Sequence, residues 1–90
     1  MIVKITNFDE NAEMPYIDYE VRGLLQIQMD FLNENLEEET SIDEDIFNIR
    51  LYFEDFFPFQ SEVAKIRLDD FIAREEIEMN VFLSSFLEDM

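Results

Sequence analysis

Carboxylates are the only chemistry-bearing groups that this chain holds in quantity. Asp30, Glu34, Glu37, Glu38, Glu39, Asp43, Glu44 and Asp45 place eight acids in sixteen residues, and no basic residue occurs between Arg22 and Arg50. Smaller pairs follow at Glu54–Asp55 and Asp69–Asp70, and Glu75, Glu76 and Glu78 lie close together farther on. Such groups accept hydrogen bonds, pair with ammonium or guanidinium ions, and move protons when a partner group is at hand. The partner groups are missing. There is no His and no Cys, which removes imidazole-activated nucleophiles, thiol chemistry and ordinary zinc sites. One glycine, Gly23, cannot build a phosphate-cradling loop. Asp43-Glu44-Asp45 lacks the sixth-position Gly and the spaced closing Glu of a calcium loop. A carboxylate pair can hydrolyse a glycoside, yet with twenty-three acids any chosen pair is uninformative. The expectation is a binding protein with no catalysis, no cofactor and no metal site.

The balance of charge sharpens that expectation. Twenty-three Asp and Glu stand against six Lys and Arg, a formal net charge of −17 on 90 residues. A small soluble domain ordinarily carries a net charge of magnitude about 2–8. Size scaling gives a folded surface of roughly 5,600 Å², too little for so many carboxylates to avoid one another. Their repulsion opposes the compact state. Lys4 and Lys65 are the only lysines, in a chain otherwise rich in Ile, Phe and Asn, so positive charge looks excluded rather than merely scarce. As a helix the run from Asp30 to Asp45 would carry one carboxylate per ~3 Å, and fully extended one per ~7 Å. Phosphates along one DNA strand recur at about 3.4 Å of axis. The two limits bracket a spacing that a phosphate-reading surface would accept.

These groups need a scaffold, and the apolar pattern supplies one. Hydrophobic residues make up 48% of the chain and aromatics 14%, enough for a core where a merely acidic sequence would stay disordered. Residues 2–7 alternate and predict a short strand. Residues 17–36 fit period two through Ile17, Tyr19, Val21, Leu25, Ile27, Met29 and Phe31, but only a helix accounts for Leu24 and Leu32. The reconciliation is a strand over 16–22, a break at Gly23, and a helix over about 24–37. Residues 37–45 are expected to be a polar connection. Phe47, Ile49, Leu51 and Phe53 predict a half-buried strand, and Pro58 and Ser61 a turn. Ala64, Ile66 and Leu68 alternate as a further strand. From Asp70 the period lengthens, and Ile72, Met79, Phe82, Leu83, Phe86 and Leu87 share a helical face behind an acidic start. Phe53–Phe59 is expected to be core and turn, and Arg50 or Arg67 is placed to pair with a cross-strand acid. The fold class is α+β: one domain over residues 1–90, a small antiparallel sheet of three to four strands with one or two packed helices. The alternative is nearly all-β, since Ile77, Met79, Val81 and Leu83 also alternate.

No basic segment followed by an apolar stretch opens the sequence, no apolar run reaches the ~20 residues that span a bilayer, and Cys is absent. The expected setting is the cytoplasm, away from membranes.

In size, acidity, lack of Cys, scarcity of Gly and wealth of aromatics, the whole chain resembles the phage-encoded DNA-mimic inhibitors. These include anti-restriction proteins, inhibitors of uracil-DNA glycosylase and several anti-CRISPR proteins. The resemblance carries no diagnostic motif and transfers no residue. It implies a stoichiometric inhibitor whose carboxylates occupy the phosphate contacts of a basic, nucleic-acid-binding host protein in the host cytoplasm, with no direct binding of nucleic acid. The candidate contacts are Asp30, Glu34, Glu37, Glu38, Glu39, Asp43, Glu44, Asp45, Glu54, Asp55, Asp69 and Asp70. Two alternatives share the electrostatics: an antitoxin or immunity protein that neutralises a basic toxin, and an acidic adaptor subunit of a larger assembly.

Overall fold

The computed structural model describes residues 1–9, 13–52 and 68–90. The elements run β1 (Ile2–Asp9), β2 (Tyr16–Arg22), α1 (Gln26–Asn35), β3 (Glu39–Asp43), β4 (Ile46–Tyr52) and α2 (Leu68–Leu87). The four strands form one sheet in the order β1-β2-β4-β3, with every pairing antiparallel. The chain is therefore α+β, as its patterning predicts. The nearly all-β alternative fails at its own test segment, because residues 71–87 are helical throughout.

Alternation sorts the strands into two faces. Val3, Ile17, Tyr19, Val21, Phe47 and Ile49 are buried on one face. Met29 and Leu32 of α1 and Phe71, Met79 and Leu83 of α2 complete that core. Phe31 and Phe86, with ring centroids 5.7 Å apart, join the two helices. Each fully buried Leu or Phe contributes about 1.5–3 kcal/mol relative to exposure, so the core holds despite the charge around it. Phe82, expected on the buried face of α2, is 43% exposed. The inward stripe runs through Phe71, Met79 and Leu83, and Phe82 lies a rotation of about 100° from Leu83.

Local features fix the ends of these elements. Gly23 has φ +87° between β2 and α1, a left-handed conformation that a Cβ disfavours, and the break expected there is found. α1 is shorter than its predicted span. Leu25 precedes it with no capping oxygen, and the Gln28 side chain instead accepts the Leu25 N–H at 2.8 Å. β1 carries a bulge between Ile5 and Asn7. At that irregularity the Ile5 N–H donates to Glu76 Oε2 across 2.8 Å, tying the strand to α2.

Two expectations need correction. Residues 39–43, read as connection, are strand β3, paired with β4 from Glu39↔Arg50 to Asp43↔Ile46. Thr40 and Ile42 turn half-buried toward the core, and the Thr40 hydroxyl donates to Asn33 Oδ1 of α1 at 2.7 Å. Two inward positions between acids are a weak pattern, and a tertiary partner decides the matter. Leu68 and Asp69, placed at the end of a strand, are instead the first residues of α2. The rest of that strand, the turn at Pro58 and Ser61, the Phe53–Phe59 run and Arg67 lie outside the described residues. Among the described residues, no helix is long and apolar enough to cross a membrane.

Candidate functional site

The acids from Asp30 to Asp45 are all at the surface, Glu38 half-buried and the others exposed. They do not form the single row that either limiting geometry assumed. Asp30 and Glu34 are one turn apart on α1, Glu37 and Glu38 lie between α1 and β3, Glu39 and Asp43 are on β3, and Glu44 and Asp45 make the hairpin turn. Along β3 the two same-face acids are about 13 Å apart at ~3.3 Å per residue. The fold divides the run between the two sides of the sheet: Glu39 and Asp43 share the face of Arg50 through their register with β4, whereas Asp30 and Glu34 are on the helix packed against the other face.

This acidic patch, divided as it is, has no ion pair among the described residues. Asp30 accepts from Gln26 Nε2 at 3.0 Å, and Glu39 accepts from the Tyr52 hydroxyl at 2.7 Å. Local energetics do not favour the arrangement either. Asp30 and Glu34 are like charges at i,i+4, and no base occupies the last turn of α1 to meet its dipole. Glu44 sits at φ +58°, a left-handed conformation that costs a side-chain-bearing residue roughly 1–2 kcal/mol. Asp69 and Asp70 are different, because the first turn of α2 is where a helix dipole welcomes acids. Glu54 and Asp55 lie outside the described residues.

A second set of acids, absent from the nominated residues, occupies the sheet face that bears no described helix. Asp18 and Arg50 are direct cross-strand partners. Arg50 Nε and a second guanidinium nitrogen meet the two Asp18 oxygens at 2.6 and 2.9 Å. The guanidinium also lies 4.0 Å above the Tyr16 ring, and Tyr16 packs edge-on to Tyr52 at 6.2 Å. The Asp18 bond holds Arg50 still more firmly protonated than usual. Beside it Glu20 pairs with Arg22 at 2.8 Å. A shallow depression of about 390 Å³, bordered by Thr6, Asp18, Ser41 and Asn48, crosses this face. The expectation that Arg50 pairs across strands is met, but the partner acid could be named only once the register was known.

α2 contributes a third arrangement. Burial raises the Glu75 carboxyl above the usual glutamate value, the Glu78 charge adds to the rise, and Arg74 opposes it. Glu76 is engaged with the Ile5 amide. The Tyr19 phenol is pushed up by burial first and then by Glu75, Glu78 and Glu76. No group of three or more acids among the described residues is disposed to hold a metal ion.

Over residues 2–89 the sequence matches the model of a family of unknown function, DUF5750. The chain belongs to that family. No curated protein matches it. Membership covers the sheet, both helices and every acid nominated above, so the patch is carried within the family domain itself. Chemistry must be argued from the residues.

Proposed function

We propose that the chain is a non-catalytic binding protein whose Asp30–Asp45 patch engages a basic, nucleic-acid-binding protein in place of phosphate. One observation carries this reading. Eight surface acids follow one another from Asp30 to Asp45 with no basic partner among the described residues, while the acids Asp18 and Glu20 are paired by Arg50 and Arg22. A groove built from Lys and Arg to neutralise phosphate attracts a matched set of carboxylates, and the long-range field speeds encounter.

The test is capture followed by competition. The tagged chain should retain basic proteins from lysate, and added duplex DNA should release them while an uncharged polymer does not. The chain itself should not shift DNA in a gel without bridging divalent metal. Direct DNA binding, or a captured protein that DNA fails to displace, would sink the reading.

Exposed apolar side chains favour a second reading, a toxin neutraliser or adaptor subunit. Ile77 and Val81 of α2 are 65% and 60% exposed, and Leu25 and Ile27 near the start of α1 are 66% and 63% exposed. Such groups would anchor an interface whose energy is apolar rather than ionic. Capture that survives both DNA and high salt would select it.

A further inference from the structure

The sheet has two edges, and the fold treats them differently. β1 is guarded: a bulge interrupts it, its Ile5 N–H donates to Glu76 of α2, and the Met1 carbonyl just ahead of it accepts from Asn80 Nδ2 at 3.3 Å. β3, at the other edge, has no strand beside its outer side among the described residues. The turn decides which of its backbone groups are free. Glu44 and Asp45 alone join β3 to β4, so Asp43↔Ile46 is the closing, hydrogen-bonded pair, and alternation bonds Ser41↔Asn48 and Glu39↔Arg50 likewise. The N–H and C=O groups of Thr40 and Ile42 therefore face away from β4. A row of such groups is a template for another strand. Side chains set what that strand must carry. Glu39, Ser41 and Asp43 are exposed on the open face, and Thr40 and Ile42 are half-buried on the face of α1.

We propose that the β3 edge receives an extended segment of the basic partner as an added antiparallel strand, an inference that rests on the partner reading above. Main-chain bonds to Thr40 and Ile42 hold the segment, and side chains at alternate positions select it. Lys or Arg residues four apart stand opposite Glu39 and Asp43, where opposite charges across a strand pair are favourable. Arg50 does not compete for Glu39, because its short bonds go to Asp18. A second copy of this chain is the wrong occupant on charge. Two β3 edges related by a two-fold axis would pair Thr40 with Ile42 and set Glu39 directly against Asp43, and like charges so placed are destabilising. The same acids that refuse a copy accept a basic strand.

The test uses a short peptide, acetyl-Lys-Val-Thr-Val-Lys-amide, titrated into the nitrogen-15-labelled full chain at constant ionic strength. The Thr40 and Ile42 amide signals should move saturably with a midpoint of roughly 1 mM, and Val3 on the guarded edge should stay still. N-methylation of both valines removes the donors that meet β3 and should abolish the response. The peptide Glu-Val-Thr-Val-Glu should give none. The Glu39→Gln/Asp43→Asn variant should bind the parent peptide roughly three- to tenfold more weakly. Still Thr40 and Ile42 signals, equal binding of the N-methylated or the acidic peptide, or an unchanged titration in the variant would overturn strand addition. So would hydrogen-exchange protection of those two amides that grows with protein concentration in the free chain, since a second copy would then hold the edge. Those outcomes leave the partner reading intact, because that reading stands or falls on DNA competition.

Discussion

The sheet face around Arg50 and the patch around β3 hold the same kind of residue in opposite conditions. On the sheet face Asp18 is gripped by two guanidinium bonds, Glu20 has Arg22, and aromatic rings pack around the pair. In the patch eight acids share two polar side-chain donors and no described base. Arg50 even stands directly across from Glu39 in the register, yet its short bonds go to Asp18. The difference teaches that pairing in this chain follows position: Asp18 is bonded from β2 to Arg50 of β4, Glu20 meets Arg22 within β2, and the acids of the run meet no described base. On the proposed reading those unpaired acids serve a partner.

Breaking the paired region should have the largest effect. Arg50→Ala strands Asp18 and removes the cation from Tyr16, so it should lower the melting temperature more than any single neutralisation within the patch. Exposed substitutions away from special contacts stay within about 0.5 kcal/mol, and each of Glu37→Gln, Asp43→Asn and Asp45→Asn should fall in that band. A patch variant that destabilises as much as Arg50→Ala would erase the contrast.

The next largest effect lies outside both regions, at Glu75 of α2. Its folded-state carboxyl binds a proton at higher pH than in the unfolded chain, so stability is lost as pH rises from the usual glutamate value through the raised one. Glu75→Gln should therefore be more stable than the native chain at neutral pH, with the gap closing as the solution is acidified through that interval. Chemical denaturation at several pH values checks both the sign and the closing. A gap that widens on acidification would mean that Glu75 is stabilised as an anion.

A smaller change sharpens the account of the patch. Glu44→Gly removes the left-handed strain, worth roughly 1–2 kcal/mol, against an unfolded-state entropy term of about 0.4–1 kcal/mol. The net should be a gain of about 0.5–1 kcal/mol, read from urea denaturation. Loss of stability would show that the Glu44 side chain does structural work at the turn.

The sequence made much of this legible, for definite reasons. Strict alternation in β2 and β4, the lone Gly23, and the longer period beyond Asp70 each mark one structure with little competition. β3 was hidden because its inward positions are only Thr40 and Ile42, set among acids that also suit a loop. The Asp18–Arg50 pair lies thirty-two residues apart and exists only through the β2–β4 register, which no local pattern states. The nominated patch was visible as composition, but its division among helix, strand and turn was not. Tyr19 could be expected in the core as a strand residue; that its phenol would open on Glu75 and Glu78 depends on how α2 crosses the sheet.

The central claim is that the patch is uncompensated charge held by the fold for a partner, and sodium chloride tests it most directly. Salt screens repulsion between exposed charges, with a Debye length near 10 Å at 0.1 M. The melting temperature of the isolated chain should rise as sodium chloride goes from about 10 mM to several hundred millimolar, without the added apolar effect of sulfate. A variant with Glu34, Glu37, Asp43 and Asp45 neutralised should show a clearly flatter rise. A melting temperature that falls with salt, or a variant whose rise matches the native chain, would mean that the patch is already balanced and would contradict the account.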